Sequence, residues 1–100
     1  MINRNLITLC FFSFVFSQEV LQLNQIQIIK DIYYKKVDQS IVNGKIYFKN
    51  NGNNIFLGDI NGGKKNGEWL ELYSNGNRKG QFIYKNGLLN GPYTLWYKNN

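Results

Sequence analysis

Apolar and polar residues alternate with a period of two along much of the second half of the chain, a pattern typical of β-strands. Residues 68–73 (EWLELY) form the clearest such segment, and residues 78–84 form the next. Between them lies Asn75-Gly76, and Asn-Gly pairs favour the type I′ turn of a two-residue hairpin. The alternation therefore predicts two antiparallel strands joined by a tight turn.

Both faces of this predicted hairpin carry large apolar side chains. Because successive side chains of a strand point to opposite faces, Trp69, Glu71 and Tyr73 share one face, while Leu70 and Leu72 share the other. A free single-layer sheet would leave one apolar face in water. We therefore expect a cover over the second face, supplied by residues 20–29, a partner chain or a ligand.

The region before this hairpin has a less regular pattern. Residues 20–29 (VLQLNQIQII) alternate over short stretches but slip in register at Asn24-Gln25, so they predict an irregular strand. Residues 31–36 (DIYYKK) are rich in β-branched and aromatic side chains and predict a second strand. After a polar turn, residues 41–48 predict a strand that passes through Gly44, where we expect a bulge or a close approach of another backbone.

Turn residues recur along the chain at a fixed period. Asn43-Gly44, Asn66-Gly67 and Asn90-Gly91 follow one another at steps of 23 and 24 residues. Further Asn-Gly and Gly-Gly pairs lie between them, so that the predicted repeat turns are at Gly44, Gly52, Gly63, Gly67, Gly76, Gly87 and Gly91. A fixed period of this length indicates a repeat architecture, and such proteins are commonly scaffolds and binding surfaces.

The repeated unit has a recognisable motif: a Gly, an aromatic residue two positions on, a Tyr four positions further, then Asn-Gly, and later Tyr-x-Asn-Gly. The matching residues are Gly67, Trp69, Tyr73, Asn75, Gly76, Tyr84, Asn86 and Gly87. Gly91, Tyr93 and Tyr97 begin another copy, and residues 44–63 form a weaker copy in which Ile46 and Ile60 replace aromatic residues. This pattern resembles the MORN repeat family, and more closely its bacterial variant.

The resemblance covers residues 43–100 and implies an all-β fold, an elongated single-layer antiparallel β-meander of about two full units and a partial third. Proteins of the bacterial variant are often labelled antitoxin-like, and eukaryotic MORN proteins are linked to membrane association and self-assembly. We therefore expect a non-catalytic module that binds a protein partner or itself. The alternatives are peripheral binding to an anionic membrane or envelope surface, and an antitoxin- or immunity-type role.

The first 17 residues have the features of a signal peptide. Arg4 precedes an apolar run, residues 6–16, that is too short to span a membrane as a helix. Val15 and Ser17 are small enough for the signal peptidase pockets, so we expect cleavage after Ser17 and a secreted or periplasmic protein. An uncleaved anchor and a lipoprotein are the alternatives, although a lipoprotein needs a small residue before Cys10.

The predicted domain organisation is then simple. Residues 1–17 are the signal peptide, residues 18–42 contribute N-terminal strands leading into the sheet, and residues 43–100 form the repeats. Cleavage lowers the formal net charge from +6 to +5, because Arg4 is lost. It also removes Cys10, the only cysteine of the chain.

The sequence offers little that resembles catalytic chemistry. It has no histidine, the commonest general base and metal ligand. Glu68 and Glu71 lie three positions apart in a predicted strand, on opposite faces, so they cannot flank one glycosidic bond. Residues 62–65 (GGKK) lack the Lys-Ser/Thr ending of a phosphate-binding loop. We therefore expect no enzyme activity, no catalytic residues, no cofactor and no metal site.

Aromatic and basic residues remain as candidates for binding. The predicted interaction surface contains Trp69, Tyr73, Tyr84, Tyr93, Leu95, Trp96 and Tyr97. Cross-strand packing is the other explanation for these aromatic residues. Residues 92–98 predict a last strand with an unpaired edge, which can recruit a partner strand or a second copy of the chain. Lysines at the turns allow contact with anionic lipid, whereas export makes nucleic acid an unexpected partner.

Overall fold

The computed structural model describes residues 18–98, which are predominantly β. The predicted signal peptide, residues 1–17, lies outside the described residues. The strands are β1 (Glu19–Gln22), β2 (Ile26–Ile29), β3 (Ile32–Lys35), β4 (Gly44–Asn50), β5 (Asn53–Asn61), β6 (Lys64–Leu72), β7 (Arg78–Lys85), β8 (Leu88–Leu89) and β9 (Thr94–Leu95). A single 3-10 turn, Leu23–Gln25, interrupts the irregular strand predicted over residues 20–29, at the position where its register slips.

Seven strands form the main sheet, in the order β1-β4-β5-β6-β7-β8, with β9 also paired to β7. From β4 to β8, neighbours in sequence are neighbours in the sheet and run antiparallel, as the alternation predicted. β1 is different, because it runs parallel to β4, with Glu19 opposite Gly44. The all-antiparallel prediction is therefore wrong for β1. The reason is that the β2–β3 hairpin intervenes between β1 and β4, so that they are not consecutive strands of the meander.

The backbones of β1 and β4 approach closely at Gly44. The Glu19 amide donates a hydrogen bond to the Asn43 carbonyl at 3.2 Å, and a Cβ atom on Gly44 would overlap the carbonyl of Glu19. The close approach predicted at Gly44 is thus confirmed. The register irregularity lies slightly later, between Ile46 and Tyr47. β4 also begins at Gly44 instead of residue 41.

The β2–β3 hairpin forms a separate two-stranded sheet that supplies a second layer. Ile26 and Tyr33 from this hairpin are buried together with residues of the main sheet, namely Val42, Ile46, Leu57, Ile60 and Trp69. The single-layer prediction is therefore wrong for this part of the molecule. The physical reason is the one that the apolar pattern indicated: a sheet with two apolar faces needs a cover, and part of residues 20–29 together with β3 provides it.

Trp69 joins the two halves of the main sheet. β5 and β6 pair only over the three positions from Asp59 to Asn61. The indole ring of Trp69 lies over Gly58, where a Cβ atom would overlap the ring. Its Nε1–H donates a hydrogen bond to the Asp59 carbonyl at 2.8 Å. One side chain thus packs against β5 and satisfies its own polar group there.

The sequence repeat is also a structural repeat. Gly44 pairs with Ile60 in the first hairpin, and Gly67 pairs with Tyr84 in the second, at the same steps of 23 and 24 residues. A backbone hydrogen bond recurs in the same way, from Gly63 N–H to the Val42 carbonyl at 3.0 Å and from Gly87 N–H to the Lys65 carbonyl at 2.9 Å. Equivalent positions in sequence therefore have equivalent backbone partners.

The tight turns fall into two types. At Asn51-Gly52, Gly62-Gly63 and Asn86-Gly87 both residues have positive φ, as a type I′ turn requires. The turn at Asn75-Gly76 is longer, because Tyr73 N–H donates to the Asn77 carbonyl at 2.8 Å, and only Gly76 has positive φ. The type I′ prediction is therefore wrong at that turn. Of the other predicted repeat turns, Gly67 and Gly91 have positive φ and Gly44 does not.

A register shift between Glu71 and Leu72 explains this longer turn. An extra residue in one strand reverses the alternation of side chains that follow it. Leu72 accordingly packs against the core that holds Trp69. The face predicted for Leu72 is wrong for this reason.

Candidate functional site: the C-terminal edge

The outer edge of β7 is shared by the last two strands. β8 pairs with Tyr84 and Lys85, whereas β9 pairs with Gly80 and Gln81 further back along β7. Between them, Asn90 N–H donates to the Ile83 carbonyl at 2.8 Å. The last predicted strand is therefore present but shorter than the predicted 92–98. It lies beside β8 along one strand instead of extending the sheet beyond it.

Trp96 anchors the end of this segment. Its N–H donates to the Lys79 carbonyl at 3.0 Å, and its carbonyl accepts a hydrogen bond from the Tyr73 hydroxyl at 2.7 Å. The Arg78 guanidinium lies 4.5 Å from the centre of the indole ring, a distance at which a cation–π contact is favourable. Residues 94–96 are thus held to the sheet by backbone and side-chain contacts.

The register leaves the backbone of Leu95 facing outward. Lys79 is opposite Trp96 in a hydrogen-bonded pair, and Gly80 is opposite Leu95. Hydrogen-bonded and non-hydrogen-bonded pairs alternate in an antiparallel ladder, so the N–H and C=O of Leu95 point away from β7. Within residues 18–98 no strand pairs with this outer side of β9. The edge therefore presents backbone groups that another strand can use.

Exposed apolar side chains accompany these backbone groups. Tyr93 is 58% exposed, Leu95 61% and Tyr97 94%. The Tyr93 ring stacks on Phe82, with ring centres 5.6 Å apart and an angle of 28° between the planes. The C-terminal edge, defined as residues 93–97, is thus an ordered strand end with three large side chains in solvent.

The predicted interaction surface is divided by the structure into three groups. Trp69 is only 3% exposed and belongs to the core, so the prediction that it is a surface residue is wrong. Tyr73 and Tyr84 are half-buried. Trp96 is half-buried as well, and only Tyr93, Leu95 and Tyr97 are exposed together.

Two residues at the same end escaped the sequence prediction. Leu88 and Leu89 follow the Asn86-Gly87 turn and are largely exposed, although both are aliphatic. They line a groove of about 390 Å³ that Ile28 and Tyr33 border from the side of the β2–β3 hairpin. The signal in the sequence was an adjacent Leu-Leu pair after a turn, which cannot be fully buried in a two-residue strand.

Tyr33 has the largest electrostatic perturbation in this region. Burial raises the pKa of its hydroxyl to about 12, and the negative charges of Glu71 and Asp31 add to the shift, together with the neighbouring Tyr84. Burial also raises the pKa of Tyr84. Both side chains stay neutral at physiological pH, so they act here as aromatic surfaces and hydrogen-bonding groups and not as bases.

Basic residues dominate the second repeat. In the described part of the chain the ion pairs are Lys35–Glu19 at 2.6 Å and Lys45–Asp59 at 3.0 Å, both in the N-terminal half. Lys65 and Lys79 instead lie over aromatic rings. The positive charge near the C-terminal edge is therefore not neutralised by neighbouring carboxylates among residues 18–98.

Searches for other kinds of site give the following. Among residues 18–98, no cluster of three or more acidic, cysteine or histidine side chains could hold a metal ion. The same residues contain no helix with the length and apolar character needed to cross a bilayer. Comparison of the chain with models of known protein families finds no match, and comparisons with curated proteins and with solved structures find no significant match either.

Proposed function

We propose that this protein is an exported, non-catalytic MORN-type repeat module that associates with a protein strand through its C-terminal edge. The observation that carries the proposal is the outward-facing backbone of Leu95 beside three exposed large side chains. Unpaired strand edges are templates for added strands, and the added backbone hydrogen bonds provide affinity. Secretion or periplasmic export is part of the proposal and rests on the sequence of residues 1–17.

The order of side chains along the edge favours a second copy of the chain as the added strand. Tyr93 and Tyr97 lie symmetrically, two positions on either side of Leu95. If two edges pair antiparallel about a two-fold axis at Leu95, each Leu95 meets its equivalent and each Tyr93 meets a Tyr97. Aromatic and aliphatic cross-strand pairs of this kind stabilise antiparallel sheets.

The test replaces the outward-facing donor. Leu95→Pro removes the N–H that would bond to a partner strand, yet the register shows that this N–H makes no bond to β7. We expect the variant to shift the monomer–dimer equilibrium toward monomer by at least tenfold, with a change in melting temperature of only a few degrees. Leu95→Ala is the matched control, because it keeps the donor and shortens the side chain. Sedimentation analysis of all three chains measures the equilibrium.

Two results would count against this function. A wild-type chain that is monomeric at high concentration and captures no strand peptide would remove the proposed activity. Equal weakening by Leu95→Pro and Leu95→Ala would show that side-chain contact, and not strand addition, drives association. Binding to anionic vesicles that falls steeply with added salt would instead support the alternative, a peripheral surface binder that uses the basic second repeat.

A further inference from the structure

Tyr33 occupies a specific place on the first repeat. Its N–H donates to the Gly63 carbonyl at 2.8 Å, and its carbonyl accepts from the Val42 N–H at 3.1 Å. Its ring is buried in the same cluster as Val42 and Ile60. The first repeat thus binds a strand of the β2–β3 hairpin through one backbone acceptor and a socket for one aromatic side chain.

The second repeat has the same place, and it is open. One repeat step carries Val42 to Lys65, Ile60 to Tyr84 and Gly63 to Gly87, as the equivalent hydrogen bonds of Gly63 and Gly87 confirm. Lys65, Tyr84 and Gly87 all line the groove of about 390 Å³ beside Leu88 and Leu89. Within residues 18–98 the Gly87 carbonyl accepts no backbone hydrogen bond from a covering strand, unlike the carbonyl of Gly63.

We infer that this groove is a docking site for an extended segment of a partner protein that carries an aromatic side chain. The segment takes the position that Tyr33 takes on the first repeat. Its backbone N–H bonds to the Gly87 carbonyl, and its ring enters the space between Tyr84 and the two exposed leucines, Leu88 and Leu89. The volume is in the range of about 300–1,000 Å³ typical of binding pockets.

The lining of the groove favours an aromatic over an aliphatic side chain. The Lys65 ammonium lies 4.7 Å from the centre of the Tyr84 ring and 5.2 Å from that of Trp69. It replaces the aliphatic side chain of Val42 at the equivalent position. A bound aromatic ring would offer this cation another π-face, whereas an aliphatic side chain offers none.

The experiment uses a peptide from the chain itself as the probe. A peptide of residues 31–36 with Tyr34→Thr has Tyr33 as its only aromatic side chain, and the first repeat of the full chain is already occupied by its own Tyr33. We expect saturable amide shifts at Gly87, Leu88 and Leu89 in NMR spectra at up to about 5 mM peptide, the weak range expected of a single anchoring side chain. Tyr33→Phe in the peptide should keep the affinity, and Tyr33→Leu should lower it by at least tenfold.

Variants of the full chain locate the site. Leu88 and Val37 are both largely exposed, but Val37 lies outside the groove. Leu88→Lys should weaken the peptide at least tenfold, and Val37→Lys should leave its affinity unchanged. Lys65→Met should abolish the preference for the aromatic peptide over the Leu peptide.

Three outcomes would overturn the inference: no saturable binding, shifts confined to residues 93–97, or equal affinity of the Tyr and Leu peptides for the wild-type chain. Leu95→Pro should not change the affinity of the peptide, because the groove and the C-terminal edge are separate surfaces. The inference therefore stands or fails independently of the proposed association through β9.

Discussion

Individual aromatic residues of the repeat have different tasks although they occupy matching positions in the motif. Trp69 is buried because Gly58 on the neighbouring strand leaves room for its ring and the Asp59 carbonyl accepts its N–H. Tyr93, one repeat later, lies on Phe82 and stays exposed. The same motif position is thus a core residue where a covered strand lies beside it and a surface residue where none does.

Tyr33 gives a prediction for the dependence of stability on pH. The pKa of its hydroxyl is raised from 10.0 to about 12 in the folded protein, mainly by burial. Between these two values the unfolded chain loses a proton that the folded chain keeps, so the free energy of unfolding falls as pH rises. The stabilisation is fully present below pH 10 and is lost toward pH 12. We expect a loss on the order of 2 kcal/mol in urea unfolding experiments.

The matched variant for this measurement is Tyr33→Phe, which keeps the ring and cannot ionise. Its stability should fall less between pH 10 and pH 12 than that of the wild type. Because other tyrosines ionise in the same range, the difference between the two chains is the informative quantity. Identical pH profiles for the two proteins would show that Tyr33 is not buried as described.

At the scale of elements, the two-residue turns determine the register of the hairpins. Asn86-Gly87 has φ values of 51° and 83°, and Asn51-Gly52 has almost the same pair. Asn75 is outside the left-handed region, and its side-chain oxygen accepts the Asn77 N–H at 2.9 Å. Asparagine therefore serves two purposes in this chain, as a residue that tolerates positive φ and as a side-chain acceptor within a longer turn.

This difference predicts unequal effects of one substitution at two turns. Asn86→Val places a β-branched residue at positive φ and should cost about 1–3 kcal/mol of stability. Asn75→Val loses one exposed hydrogen bond and should cost about 0.5–1.5 kcal/mol. Chemical denaturation of the two variants measures both values. A larger loss for Asn75→Val would contradict the turn assignment.

The sequence was sufficient for the repeat and its strands, and the reasons are local. Alternation in residues 68–73 and 78–84 predicted β6 and β7, and the Asn-Gly spacing predicted the turns at Gly52 and Gly87. The longer turn at Gly76 could not be predicted, because it depends on a register shift in β6 that leaves no mark on the local pattern.

Long-range contacts were the other part that the sequence left open. The need for a cover was visible in the two apolar faces, but the burial of Tyr33 against Trp69 depends on how the β2–β3 hairpin folds back. Of the candidate site, Tyr93, Leu95 and Tyr97 were identified in advance as parts of an edge. The groove at Leu88 was not, since it is formed by strands distant in sequence.

At the scale of the whole molecule, packing is uneven from one end to the other. The buried residues come from the β2–β3 hairpin, the segment leading into β4, and β4 to β6, while β8 and β9 contribute exposed side chains. A region with few buried apolar contacts opens locally at lower free energy than a well-packed core. The end that carries the proposed binding surfaces is therefore also the end expected to be the less protected from exchange.

The parallel pairing of β1 with β4 has a consequence for the order of folding. The hairpins from β4 to β8 close short loops, whereas Glu19 reaches Gly44 only after the intervening hairpin has formed. Contacts between distant residues cost more chain entropy before they are rewarded, so β1 should dock last. Pulsed hydrogen exchange during refolding should protect the amides of β4 and β5 before those of β1, and simultaneous protection would contradict this order. The N-terminal strand thus acts as a latch on a sheet that assembles without it.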